Sequence, residues 1–421
     1  MNPSRRTFVR NFTAGVAGAV TLPGMINAST GFTLPARGDD RFWEKVRDQF
    51  PLSKERVYFN TGTVGPSPFP VQEAYKSAID DLDKRGEYSG WDVARPKLAS
   101  FLNVKTTEIS LTHNTTESIN IVAWGLPLKA GDEVILTTHE HAGNALPWLN
   151  RAKIDGIIIK TLSPANTADE TLNRLNGLIT PKTRVLAIPH ITCTIGQVFP
   201  VREIATLGHD KGLWVMIDGA QAPGMIPVDV TAIGCDCYAA SCHKWMCAPR
   251  GTGLLYVKED LLDVVQPRFL GGNADLGWDL TNEPHEFKGY VPTAHRYDYG
   301  TQSAPLFIGV AAAVDYLNGI GMDAVSAYGN GLASLLQRQL LELGDRIEML
   351  TPVEQQSRGS MIGFRLKSLP NDKFGELASK NGFRIRLVPE SHLNSIRIST
   401  HIYNNEDEVM RFVGLVRDAV E

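Results

Sequence analysis

Through the middle of the chain, short and nearly unbroken apolar runs recur at 109–112, 133–138, 157–162, 184–189, 213–218, 238–241 and 253–257. Each is the length of a buried strand and ends at polar or turn residues. Between most of them the apolar positions space out to every third and fourth residue, at 117–124, 145–153, 169–178 and 201–211. Strands alternating with helices predict an α/β fold with a mostly parallel, seven-stranded sheet covered on both faces. Helical spacing also marks 39–49, 70–85 and 92–102 before the sheet, and 303–317 and 324–343 after it. Strand patterns at 360–366 and 395–399, with helical ones at 372–381 and 406–420, predict a smaller α+β region at the C-terminal end. The expected division is an N-terminal leader over 1–28, a segment over 29–60, a large domain over 61–302 and a small domain over 303–421.

The leader departs from the rest. Ser4-Arg5-Arg6-Thr7-Phe8-Val9 is a twin-arginine pattern, Ala14 to Leu22 is weakly apolar, and Ile26-Asn27-Ala28 suits cleavage after Ala28. It predicts export of the folded chain to the periplasm or beyond, with the twin-arginine machinery as a partner. The 421 residues suffice for two or three domains. A net charge of -4 argues against a nucleic-acid-binding protein, and no apolar stretch is long enough for a membrane span. Of five cysteines, four crowd together as Cys235, Cys237, Cys242 and Cys247. Their spacing fits no standard zinc module, so they read as small apolar residues, and no metal site is expected.

Chemistry concentrates at strand ends, where ligands of such sheets bind. Asp218 closes the run Val215-Met216-Ile217, and Lys244 follows a later strand within Ser241-Cys242-His243-Lys244. An amine and a buried acid suit pyridoxal phosphate, which takes the amine on its aldehyde and the acid beside its ring nitrogen. A surface lysine and a turn aspartate are the plainer alternative. Thr115 and Thr116 lie at a strand-to-helix junction, where hydroxyl and backbone donors can hold a phosphate, or where either threonine can simply cap the helix. His141 is placed to lie on the ring, Ser241 and His243 to face the phosphate, and Gln221 to meet the phenolic oxygen. Each of these also has a purely structural alternative.

Together, Asn114-Thr115-Thr116-Glu117-Ser118, Glu140-His141-Ala142-Gly143-Asn144 with Pro147-Trp148, Asp218-Gly219-Ala220-Gln221 and Ser241-Cys242-His243-Lys244 resemble the class V aminotransferase family of pyridoxal-phosphate enzymes. Lys244 to Gly253 and Arg397 to Asn404 are similar to its isopenicillin N epimerase-like branch. The resemblance spans about 58–412. It implies an aspartate aminotransferase-like fold, with Lys244 carrying the cofactor and Asp218, Gln221, His141, Thr115, Thr116, Ser241 and His243 around it. It implies a homodimer in which Thr301 reaches the neighbour's phosphate, and an Arg397 that binds the substrate carboxylate. Cysteine desulfurases of this family carry a nucleophilic cysteine shortly before that arginine, and no cysteine follows Cys247 here. Cys193 stands where relatives carry polar residues.

The expected function is an enzyme acting at Cα of a small amino-acid-like substrate. Transamination is the first choice, since it needs only Lys244 as base. Epimerisation and carbon–sulfur elimination are alternatives on the same cofactor. Rivals from other classes are an inactive binding protein of the same fold and a metal-binding redox protein built on the cysteine cluster.

Overall fold

Seven strands form the central sheet: β1 (Ile109–Thr112), β2 (Glu133–Thr137), β3 (Ile158–Leu162), β4 (Thr183–Pro189), β5 (Trp214–Asp218), β6 (Cys237–Ser241) and β7 (Gly253–Val257). Their order is β1-β7-β6-β5-β4-β2-β3. All are parallel except β7, which runs against both its neighbours. A hairpin can reverse direction within the eleven residues between β6 and β7, whereas a parallel return needs a crossover of a dozen or more. β1, β2 and β4 to β7 are buried almost throughout, as their continuous apolar runs require. β3, at the edge, is not. The computed structural model describes residues 39–421, which lie within one compact unit. The expected leader lies outside the described residues.

Helices α1 (Phe42–Arg47), α2 (Phe69–Arg85) and α3 (Ala94–Leu102) precede the sheet. Helices α4 (Thr115–Gly125), α5 (Ala142–Asp155), α6 (Ala168–Leu178) and α7 (Val201–Asp210) connect its strands. A long apolar helix, α8 (Ala304–Ile320), packs on α2 and leads into α9 (Met322–Leu341). Among the described residues no single helix is long and apolar enough to cross a membrane.

A second sheet is antiparallel, in the order β8 (Ile347–Met349), β9 (Met361–Leu366), β11 (Ser395–Ser399), β10 (Arg386–Val388). With α9, α10 (Asn371–Lys380) and α11 (Glu406–Val420) it encloses its own apolar cluster around Phe364, Phe374 and Phe412. One segment joins this sheet to the first. Val57 and Tyr58 pair with Phe383 and Arg384. Asn60 bridges Ser399. Gly62 O accepts from Gln221 Nε2 at 3.0 Å, and Gly65 N–H donates to His243 O at 2.9 Å. A Cβ on Gly65 would lie 1.8 Å from Lys244 O, so only glycine permits this approach.

Candidate active site

β5 and β6 end side by side, and the residues just beyond them form one small cavity. His139, His141, Pro189, Ile191, Cys193, Asp218, Ala220, Gln221 and Lys244 line it. Lys244 is 8% exposed, and its Nζ has no hydrogen-bond or ion-pair partner among the described residues. Burial lowers its pKa and so favours the neutral, nucleophilic amine, while the Asp218 charge opposes this. Asp218 is 6% exposed. Its Oδ1 accepts Ala220 N–H at 2.9 Å, and among the described residues no donor meets its other oxygen. Burial raises its pKa. The oxygen left over is free to take a further donor from a bound group.

His141 caps α5: its Nδ1 accepts Gly143 N–H at 2.9 Å, which puts the ring proton on Nε2. That cap starts the helix three residues before the predicted 145. The residue is open to solvent on one side, yet burial of the ring and the Lys244 charge push its pKa down to about 4. Its neighbour Glu140 is fully enclosed, accepting from Thr137 N–H at 3.0 Å and Asn144 Nδ2 at 2.9 Å. Burial pushes its pKa up to about 8, against those donors.

The cap of α4 is neither Thr115 nor Thr116. Asn114 takes that place, accepting Glu117 N–H at 2.9 Å. Thr115 instead bonds Ser241, hydroxyl to hydroxyl at 2.6 Å and N–H to Oγ at 3.1 Å, so the start of α4 is fixed to the end of β6. Thr116 is exposed above Gly143. A Cβ there would stand 2.5 Å from Thr116 Oγ1 and 3.1 Å from His141 Nδ1. The threonines, Ser241 and His141 therefore form a continuous rim. Gln221 lines the cavity with both ends of its amide held, by Gly62 O at 3.0 Å and by Trp245 Nε1 at 2.8 Å. His243 is partly buried, with Nδ1 3.4 Å from Thr252 O. Thr301 is exposed on a separate loop and is not brought into the cavity of its own chain.

Arg397 is 1% exposed. It donates to Cys193 O, and its Nη2 to Thr63 Oγ1 at 3.1 Å and Asn60 Oδ1 at 3.3 Å. Its Nε is buried without a partner. Burial pushes its pKa down to about 10, so it stays charged at neutral pH. An enclosed guanidinium with a spare donor beside the lysine suits a carboxylate. All five cysteines are buried as free thiols. Burial pushes Cys193 up to about 11 and Cys242 up to about 12, far from thiolate at neutral pH. No group of metal-ligating side chains is present among the described residues. Sequence reading missed His139, which lines the cavity, and the Asn60–Thr63 turn that holds Arg397. A Thr-His-Glu-His run and an Asn-Thr-Gly-Thr turn were the available signals.

A mostly parallel sheet, with a free buried lysine and an acid in need of a cation at its carboxyl edge, defines a class: enzymes built around pyridoxal phosphate. The aminotransferase class-V family model matches residues 77–412, and the chain belongs to that family. It is 30% identical over 389 residues to a probable cysteine desulfurase of Methanothermobacter thermautotrophicus, covering 87% of this chain and 95% of that one. It is 28% identical to isopenicillin N epimerase of Amycolatopsis lactamdurans, covering 89% and 98%. Among solved structures it resembles a cysteine desulfurase from Thermococcus onnurineus, with a TM-score of 0.81, 26% identity and 90% and 98% of the chains covered. It also resembles a cystine C–S lyase in complex with its product cysteine persulfide, with a TM-score of 0.80, 26% identity and 88% and 99% covered. A lysine-to-alanine variant of that lyase carries glycine linked to its pyridoxal phosphate. The cofactor of this family fits the residues present: Lys244 is free for the aldehyde, and the spare Asp218 oxygen for a protonated ring nitrogen.

Proposed function

We propose that this enzyme is a carbon–sulfur lyase, cleaving the Cβ–S bond of a sulfur-bearing amino acid and releasing the sulfur on a product, not on a protein thiol. The carrying observation is the cavity itself: it holds a free lysine and an acid, while every described cysteine is buried and protonated. A desulfurase that parks sulfur on itself needs a reactive thiolate near the carboxylate-binding arginine, and residues 384–397 contain no cysteine. The resemblance to a C–S lyase and to cysteine desulfurases supports elimination over transamination, the first choice from sequence.

When bound, pyridoxal phosphate supplies the electron sink for a bond broken at Cα. Lys244 would carry the cofactor and, once the substrate amine has taken its place, would move the α-proton. Asp218 would hold the ring nitrogen's proton, and His141 would lie against the ring as a neutral imidazole. Thr115, Thr116, Ser241 and His243 would hold the phosphate, and Gln221, which also holds the Gly62 turn, would hold the phenolic oxygen. Arg397 would bind the α-carboxylate through Nε. The test is pyruvate release from L-cystine and L-cysteine by the loaded enzyme and by a variant lacking all five cysteines. Equal rates per folded site support the reading, and persulfide found on a cysteine of this chain would sink it.

The active unit in this proposal is a homodimer, with Thr301 of each chain reaching the phosphate of the other. Exposed Phe269, Leu276, Trp278, Leu280 and Phe287 support a covered surface near that loop in sequence. Export rests on the sequence alone. Replacing Arg5 and Arg6 by lysine should hold the protein in the cytoplasm of a bacterial host, as read by fractionation, whereas unchanged export would sink the twin-arginine reading.

A further inference from the structure

A second cavity, of about 250 Å³, shares no lining residue with the one around Lys244. Trp91 and Asp92, just before α3, line it together with His295, Asp298, Gly300 and Gln302. It therefore lies at the root of the loop that carries Thr301.

One acceptor in its wall is unsatisfied. Gln302 is 5% exposed, and its Oε1 is buried with no partner among the described residues. The amide is oriented by its neighbour: Nε2 faces Tyr299 O at 3.5 Å, and the reverse placement would set two carbonyl oxygens against each other. The backbone of Gln302 is held too. Its N–H donates to Tyr88 Oη at 2.6 Å, and the Tyr88 ring stacks on Trp91 at 4.7 Å. A buried carbonyl oxygen costs free energy until a donor meets it. The cation nearby is already committed. Arg95 gives Nε to Asp92, Nη1 to Ile109 O and Nη2 to Asp298.

The charges decide which kind of donor fits. Arg95 and Asp298 neutralise one another, whereas Asp92 is half exposed and takes Arg95 on Oδ1 alone. Burial and the Arg95 charge lower the pKa of His295, so its ring adds no positive charge near neutral pH. The wall thus combines a net negative charge, a spare carbonyl oxygen and the aromatic ring of Trp91. An anion would be repelled by Asp92, and a neutral donor would forgo the attraction of both carboxylate and ring. A compact organic cation with N–H donors gains all three contacts.

We propose that this cavity is a binding site for a primary alkylammonium group, with Gln302 Oε1 and Asp92 as its acceptors and Trp91 as its aromatic wall. The volume lies at the small end for ligand sites and admits a chain of a few carbons. A cation bound there joins the approach to α3 with the stretch that bears Thr301. It pins the root of that loop without entering the Lys244 cavity.

Primary amines also add to the cofactor aldehyde, so the test uses loaded protein reduced with borohydride, in which the cofactor can no longer exchange. Propylammonium chloride is titrated at constant ionic strength and binding is read by ligand-observed NMR. Propan-1-ol, of the same size and uncharged, is the control. Propylammonium should bind saturably, and propan-1-ol should not compete with it. Gln302→Leu and Asp92→Asn should each weaken binding roughly tenfold to a hundredfold, the effect of losing a hydrogen bond to a charged group. The asparagine keeps an acceptor for Arg95, and Gln302→Met replaces the leucine variant if that one misfolds by circular dichroism. No saturable binding, equal binding of propan-1-ol, or an affinity unchanged in the folded variants overturns the site.

Discussion

Lys244 and Asp218 are both buried, Lys244 with no hydrogen-bond partner among the described residues and Asp218 with Ala220 N–H on one oxygen. Borohydride reduction of the loaded protein should fix the cofactor on Lys244, and a Lys244→Ala protein that still shows a covalent adduct by mass spectrometry would refute that assignment. Asp218→Asn keeps the size and loses the charge, so it should retain cofactor yet lose at least about a hundredfold in kcat, as when one preorganised electrostatic contact is removed. The histidines set a pH dependence of stability. His190 and His401 are enclosed, bonded to Tyr238 and to Trp245 O, and burial pushes both down to about 4. An unfolded chain protonates its histidines near pH 6.5, so between about pH 4 and 6.5 it binds more protons than the folded one. These two contributions therefore strengthen as pH rises through that window. Glu140, held protonated up to about 8, has the opposite sign from about 4.5 upward. The urea midpoint of the apoprotein should rise from pH 4.5 to 6, and His401→Gln should flatten that rise. A midpoint that falls over that range would contradict the assignment.

At the scale of elements, the central sheet was legible because its strands are buried on both faces and so read as unbroken apolar runs. Helix starts were less so. Asn114 outcompeted two threonines for the α4 cap, since Thr115 was already committed to Ser241, a partner 126 residues away. β8 and β10 escaped notice: each has three residues, and β10 opens on a partly buried arginine paired with Glu390. Contacts that depend on distant pairing, such as Arg397 with Asn60, leave no local pattern to read. The buried Arg95–Asp298 pair shows the same reach. Asp298 meets Arg95 at 2.5 Å, Ser110 Oγ at 2.6 Å and Leu111 N–H at 3.0 Å, tying the loop before Thr301 to β1. Asp298→Ala leaves the buried Arg95 with only Asp92 and Ile109 O as partners among the described residues and removes the acceptor of Ser110 and Leu111, and should cost about 1–3 kcal/mol by urea unfolding. A loss under 1 kcal/mol would show that the loop is held by other contacts.

On the scale of the whole molecule, the proposed homodimer makes each site a joint product of two chains. Lys244→Ala and Thr301→Trp subunits are each expected to be inactive or impaired alone. After exchange at equal amounts, about half the dimers are mixed and each has one intact site, so activity should return to roughly a quarter of wild type. Exchange without recovery would remove Thr301 from the site.

The segment that joins the two sheets, 57–65, has a consequence for the order in which the molecule is made. It leaves the ribosome early, yet its partners lie at Gln221, His243, Phe383, Arg384, Arg397 and Ser399. Its last partners, Arg397 and Ser399, follow more than three hundred residues later. Only when β11 has emerged can Asn60 engage Arg397. A nascent chain halted after β7 already contains the lysine, the acid and the phosphate rim, but lacks β11 and its arginine. Enclosure of the cavity by the small sheet is therefore an event of the finished chain, and contacts this remote in sequence make its last step slow.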